Sequence, residues 1–85
     1  MADLQTRFDA AAEAGQNLDE RPGNDTLLRL YALYKQATAG DVEGKRPGFT
    51  NLAGRMKYDA WAELEGTEPD DAKQQYVDLA NDLAS

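Results

Sequence analysis

The stretch LLRLYALYKQATAGDVEGKRPGFTNLAGRMKYDAW, residues 27–61, decides the fold. In its first part Leu27, Leu28, Leu30, Tyr31, Leu33, Tyr34 and Ala37 recur at helical spacing over more than one face. That breadth predicts a helix over 25–39 that is either central in the packing or lines a groove. Residues 40–50, GDVEGKRPGFT, carry Gly40, Gly44, Gly48 and Pro47 and read as a long irregular loop, of a kind more often functional than not in so small a domain. Thr50 or Asn51 can then cap a third helix over 52–64, with Gly66 as the glycine just past its end.

Outward from this centre, Leu4, Phe8, Ala11 and Ala12 share one helical face and predict a first helix over 2–15, loosened at its end by Gly15 and Asn17. Arg21-Pro22-Gly23 marks a turn, after which Asn24 or Asp25 can cap the second helix. On the other side, Thr67-Glu68-Pro69-Asp70 opens a last helix with Thr67 as N-cap, an acidic residue three later and proline in the first turn. Ala72, Tyr76, Leu79, Ala80 and Leu83 continue it at helical spacing. No segment alternates convincingly as a strand would, and no repeat is visible. The fold class is all-α, a four-helix single domain over residues 1–85.

Composition narrows the function. The 85 residues are 41% hydrophobic and 29% charged, a globular balance. With no Cys there is no disulfide framework or thiolate metal site, and with no His the commonest general base and metal ligand are missing. Neither a metal nor a cofactor is expected. No apolar run approaches the roughly 20 residues of a bilayer span. MADLQTRFDA lacks the layout of a signal peptide, so the expectation is a cytoplasmic protein without stable membrane insertion. Monomer is the default, because the apolar faces are used up by a four-helix core.

The net charge of −7 argues against a nucleic-acid binder. The charge is uneven, however. Between Lys35 and Lys57 five basic residues (Lys35, Lys45, Arg46, Arg55, Lys57) stand against Asp41 and Glu43, a net +3 that leaves −10 elsewhere. Such an island suits a local anion site better than a polyanion track. Leu28, Tyr31 and Lys35 fall on one stripe of the second helix, flanked by Tyr34, and the third helix brings Arg55, Lys57, Tyr58 and Trp61. If the two helices face each other, Lys35 and Lys57 can converge on a phosphate-sized target beside rings that stack on a flat group. The competing reading makes Tyr31, Tyr34 and Trp61 core residues with polar tips in water and the cations a solvated face. The residue pattern leaves both open.

Word order adds a further clue. Tyr31-x-x-Tyr34-Lys35-Gln36-Ala37-Thr38-x-Gly40-Asp41, then Arg46-Pro47-Gly48, then Lys57-Tyr58-Asp59-Ala60-Trp61 resembles, in content and spacing, the acyl-CoA-binding protein family. Phe8 with Ala11 and Ala12, Pro22, Leu28, the Gly66-Thr67 junction and Tyr76 also fall where that family has counterparts. The resemblance implies an up-down-down-up four-helix bundle that carries long-chain fatty acyl-CoA and maintains a pool of it. It further implies that the 3′-phosphate is held at Tyr31, Lys35 and Lys57, that the adenine lies against Tyr34 with Ala12 and Tyr76 completing the wall, and that Phe8, Leu27 and Leu28 contribute to an acyl groove. Some positions depart from the family pattern. Ala53 and Gln16 stand where basic residues are common, Asn51 replaces a frequent Asp, and Tyr58 a more usual Trp; Arg55 is placed to compensate for Ala53.

Physical arguments agree with this implication. Burying a methylene is worth roughly 0.8 kcal/mol, so a long acyl chain offers on the order of 10 kcal/mol before association costs. The tail would supply affinity and the head group specificity. Two other functions compete with the carrier. A helical protein-interaction module would use the Tyr/Trp surface as a hot spot. A thioesterase or transferase would need an activated nucleophile, yet Thr6, Thr26, Thr38, Thr50, Thr67 and Ser85 have no evident base beside them. Asp59 is expected to cap or pair locally, so no catalytic residue and no enzyme activity are expected.

Overall fold

A computed structural model of the chain describes residues 3–15 and 21–84. The expectations placed on Ala2, Gln16, Asn17 and Ser85 lie outside the described residues. The elements are α1 (Leu4–Gly15), α2 (Asn24–Ala39), α3 (Leu52–Ala62) and α4 (Pro69–Ala84), with no strand among the described residues.

The helix ends refine the sequence reading. Asp3 caps α1, its carboxylate accepting the Thr6 N–H at 2.8 Å while its carbonyl takes the Arg7 N–H. Asn24 and Asp25 do not cap α2. The N-cap is Gly23, in extended geometry and with no side-chain hydrogen bond, and its carbonyl accepts from Leu27 N. Asp25 therefore falls inside the first turn, where its charge still complements the helix dipole. Asn51 caps α3 as read, accepting from Gly54 N at 3.0 Å.

That helix stops at Ala62 rather than Leu64. Leu64 N and Glu65 N bond back three residues to Trp61 O and Ala62 O, and this tighter winding seats Leu64 in the core. Gly66, at φ 89°, closes this tightened turn and not the helix itself. Thr67 is not the N-cap of α4 either. Pro69 is the first helical residue and Ala72 N donates to Glu68 O, so Glu68 holds the cap position and Thr67 is left to bond elsewhere.

Side-chain pairings fix the relative directions. Arg7 bonds Gln74, and a shallow depression takes in Ala14 and Asn81, so α1 and α4 run parallel. Arg29 reaches Gln75 while Gln36 reaches Thr67, which makes α2 antiparallel to α4. Tyr31 meets Lys57 and Lys35 meets Trp61, so α2 and α3 are parallel. The bundle is up-down-down-up, with contacts running from α1 to α4 to α2 to α3. Its core joins Phe8 of α1, Leu30 and Leu33 of α2, and Ala72, Tyr76 and Val77 of α4. By contrast, α3 has no buried residue and packs on α2 alone among the described helices.

Candidate ligand groove

The breadth of apolar residues on α2 has a structural reason: one side enters the core while the other lines two connected depressions. The first, of about 320 Å³, lies among α1, α2 and α4 and is walled by Ala12, Gly15, Leu27, Leu30, Tyr31, Tyr34 and Tyr76. The second, also about 320 Å³, lies between α2 and α3 and is walled by Arg21, Asn24, Leu27, Leu28, Tyr31, Ala53, Met56 and Lys57. Leu27 and Tyr31 belong to both, so the two lobes form one groove across the exposed side of α2.

An aromatic cluster backs the first lobe. Phe8 stacks on Tyr34 with ring centroids 5.7 Å apart and an interplanar angle of 25°, and meets Tyr76 edge-on at 5.2 Å. Tyr34 and Tyr76 close the triangle at 6.3 Å. Phe8 is 2% exposed and stands behind the wall, whereas Tyr34 is 43% exposed and presents its ring to the lobe. Burial, with a smaller contribution from Tyr34, pushes the Tyr76 phenol above its ordinary range and keeps it a neutral hydrogen-bonding group at neutral pH.

The seam between α2 and α3 carries the cations. The Lys57 ammonium lies 5.5 Å from the Tyr31 ring centroid, and one turn further along the Lys35 ammonium lies 5.0 Å from the Trp61 ring. Each helix thus gives one lysine and one aromatic ring to a pair of reciprocal contacts. Tyr31 and Lys57 share the second lobe; Lys35 is in the wall of neither lobe and lies further along the seam beside Trp61. Of the nine residues expected from the sequence reading, Tyr31 and Lys57 lie where the seam meets the second lobe, Tyr34, Tyr76 and Ala12 line the first lobe, Leu27 and Leu28 the second, and Phe8 stands behind the wall, whereas Lys35 lies on the seam outside both lobes.

Polar locks hold α3 and the 40–50 loop in this position. Gln36 is fully buried and its amide nitrogen donates to Asp41 Oδ1 (2.9 Å) and Thr67 O (2.8 Å). Its Oε1 accepts from Trp61 Nε1, which also donates to Gly40 O at 2.8 Å. The Trp61 N–H is thereby turned inward and not to water, contrary to the core-with-wet-tips reading. Asp41 in turn accepts Gly66 N at 2.8 Å, and this bond, then the Gln36 amide, draw its carboxyl below the usual range. Arg46 grips Asp59 with two bonds of 2.8 and 2.6 Å, which lowers the Asp59 carboxyl likewise. Asp59 pairs locally, as read.

Sequence reasoning missed Arg21, Asn24, Leu30, Gly15 and Met56 as wall residues. Met56, three residues after Ala53 and one before Lys57, could have been found by helical spacing; Arg21 could not, because a turn rather than a helix aims it. Arg55 does not compensate for Ala53: its guanidinium stacks over Phe49 at 4.3 Å, and the arginine in the lobe beside Ala53 is Arg21. Among the described residues no group of acidic residues is gathered to hold a metal ion, and no helix is long and apolar enough to cross a membrane.

A four-helix bundle with a two-lobed apolar groove, lysines on its seam and tyrosines across it, defines a binding protein for a ligand with an anionic head and an apolar body. The family model for acyl-CoA-binding protein matches residues 5–80, and the chain belongs to that family. It is similar to the acyl-CoA-binding protein of Saccharomyces cerevisiae, 43% identical over 76 residues, 89% of this chain and 87% of that protein. It is also similar to the Drosophila melanogaster acyl-CoA-binding protein homolog, 39% identical over 82 residues, 96% of this chain and 95% of that protein. Among solved structures, the crystal structure of Oryza sativa acyl-CoA-binding protein 2 superposes with a TM-score of 0.91 at 41% identity, covering 95% of this chain and 90% of that one.

Proposed function

We propose that this protein binds long-chain fatty acyl-CoA one to one and acts as a carrier and pool former for it. The observation that carries this reading is the continuity of the groove at Leu27 and Tyr31: a cation-edged aromatic seam opens directly into an apolar channel. In this reading Tyr31, Lys35 and Lys57 hold the 3′-phosphate, with charge-assisted bonds from the two ammonium groups. The adenine stacks on the open face of Tyr34, whose other face is covered by Phe8, with Ala12 and Tyr76 behind it. The acyl chain lies along Leu27 and Leu28. The protein works without chemistry of its own, as a cytoplasmic monomer that shields the thioester; a chain without His or Cys supports this reading.

Calorimetric titration with palmitoyl-CoA beside its 3′-dephospho form tests this reading. Saturable one-to-one binding that weakens at least tenfold without the phosphate is the expected result. Equal binding of both forms would remove the anion site and keep the groove. No binding of either would hand the scaffold to a protein partner.

A further inference from the structure

Next to the second lobe, between α2 and α3, lies a third depression of about 330 Å³ that the groove just described leaves unused. Its apolar wall is Leu28 and Ala32 of α2 with Met56 and Ala60 of α3. Its charged rim is Asp25 and Arg29 of α2 with Asp59 and Glu63 of α3. On each helix these positions fall at i, i+3, i+4 and i+7, so one stripe of α2 faces one stripe of α3 across the space. Leu28 and Met56 also wall the second lobe, which makes this pair the boundary between the two depressions. The two sides of the boundary differ in charge. No carboxylate lines the second lobe, whereas three stand around the third depression. Two of the rim groups are fixed in place: the Arg29 guanidinium donates to Gln75 at 3.0 Å, and Asp59 is gripped by Arg46.

We infer that the Leu28–Met56 pair sets the longest acyl chain the groove accepts, with Met56 as the movable half of the stop. The inference deepens the proposed function and rests on it. A chain lying along Leu27 and Leu28 ends against this pair, and any further carbon must pass it into the charged rim. Burying methylenes there strips water from Asp25, Asp59 and Glu63 without giving them a new partner, so the gain per methylene made in the second lobe is offset. Arg29 and Asp59, already bonded, do not swing aside to open an apolar path. Met56 suits the movable role because its side chain is unbranched, adaptable and 49% exposed. Leu28, opposite, is half-buried on the central helix and is the fixed side. Behind them Ala32 and Ala60 keep space open, so a smaller residue at position 56 would join the third depression to the groove.

Affinities of the full chain for dodecanoyl-, palmitoyl- and arachidoyl-CoA, measured by competition calorimetry below micelle-forming concentrations, test the inference. Affinity should rise about tenfold or more from dodecanoyl- to palmitoyl-CoA, then by less than about threefold to arachidoyl-CoA. Met56→Ala should raise the arachidoyl-to-palmitoyl affinity ratio about fivefold or more. Glu63→Leu, which takes one carboxylate off the rim at an exposed position, should raise the same ratio about threefold. Circular dichroism should show both variants folded, since neither residue is buried. Parent affinity that climbs as steeply to arachidoyl-CoA as to palmitoyl-CoA, or a Met56→Ala change that leaves the ratio where it was, would overturn the stop and leave the proposed function standing. Failure of all three ligands to bind would remove the proposed function and the stop with it.

Discussion

Two parallel helices, α2 and α3, share one seam and divide the labour of the molecule between them. The first buries five side chains, among them Leu33 at 1% exposure, and contacts both neighbours. The second buries none and, among the described helices, leans on α2 alone, held by the Trp61–Gln36–Gly40 bonds, the Arg46–Asp59 pair and the Tyr58 hydroxyl donating to Gly44 O. Full burial of apolar side chains sets the stability of the α1–α4–α2 unit, whereas α3 is positioned by the half-buried Ala60 and Trp61 together with directional polar bonds. A groove between such unequal walls has one rigid side and one side whose placement depends on a few hydrogen bonds.

The contrast is most sharply tested by one substitution made in each helix. Leu33→Ala should cost about 2–5 kcal/mol in chemical denaturation, since it leaves a cavity in a packed core. Leu52→Ala, the same chemical change on the face of α3, should stay within about 0.5 kcal/mol and anchors the low end of the series. A loss at Leu52 near that at Leu33 would show that α3 belongs to the cooperative core after all.

Between these extremes lie changes at the seam and its locks. Lys35→Ala or Lys57→Ala should each remove a charge-assisted contact of about 1.5–3 kcal/mol, weakening palmitoyl-CoA about tenfold or more in calorimetry while leaving denaturation midpoints near those of the parent. Gly40→Ala is next. Gly40 adopts φ 83°, ψ −149°, a conformation open in practice to glycine only, and its carbonyl is the one that Trp61 holds. The change should cost about 1–3 kcal/mol and shift the Trp61 emission before the circular dichroism changes, because it loosens α3 ahead of the core.

The smallest of these effects is a pH dependence. The Asp41 carboxyl is drawn below its ordinary value of 3.8 by Gly66 N–H and the Gln36 amide. A carboxyl lowered in the folded state favours folding fully above that ordinary value and loses its contribution as pH falls through the folded one. Asp41→Asn should therefore lower stability at neutral pH while flattening the acid limb below about pH 4. Identical acid limbs in parent and variant would mean that the Gly66–Asp41–Gln36 chain does not link the loop to the turn before α4 energetically.

Local rules made the helices legible and left several of their ends misplaced. Periodicity placed all four elements because each buries or presents a stripe at 3.6-residue spacing. Capping rules succeeded at Asn51, where the side chain alone satisfies Gly54 N, and failed at Thr67, whose carbonyl was claimed by Gln36 from another helix. Leu64 shows the same competition: core burial drew two residues past Ala62 into a tighter turn. The α2–α3 seam of Tyr31, Lys35, Lys57 and Trp61 was legible from stripe and word order, but the stripe alone could not tell a ligand seam from a solvated face.

The sequence by itself determined four helices, an acidic chain with a basic island between Lys35 and Lys57, the absence of His and Cys, and the aromatic–lysine vocabulary of the seam. Those properties follow from residue identity and short-range spacing, which need no partner to act. Only the tertiary structure decided that Gln36, an ordinary polar residue in the string, is the buried hub joining α2, α3 and the turn before α4. It also decided that Arg21 and not Arg55 faces the groove, and that Phe49, Leu52 and Met56 stay exposed. These outcomes depend on which helices lie side by side, and that is settled by the summed burial of all four elements at once, not by any stretch read alone.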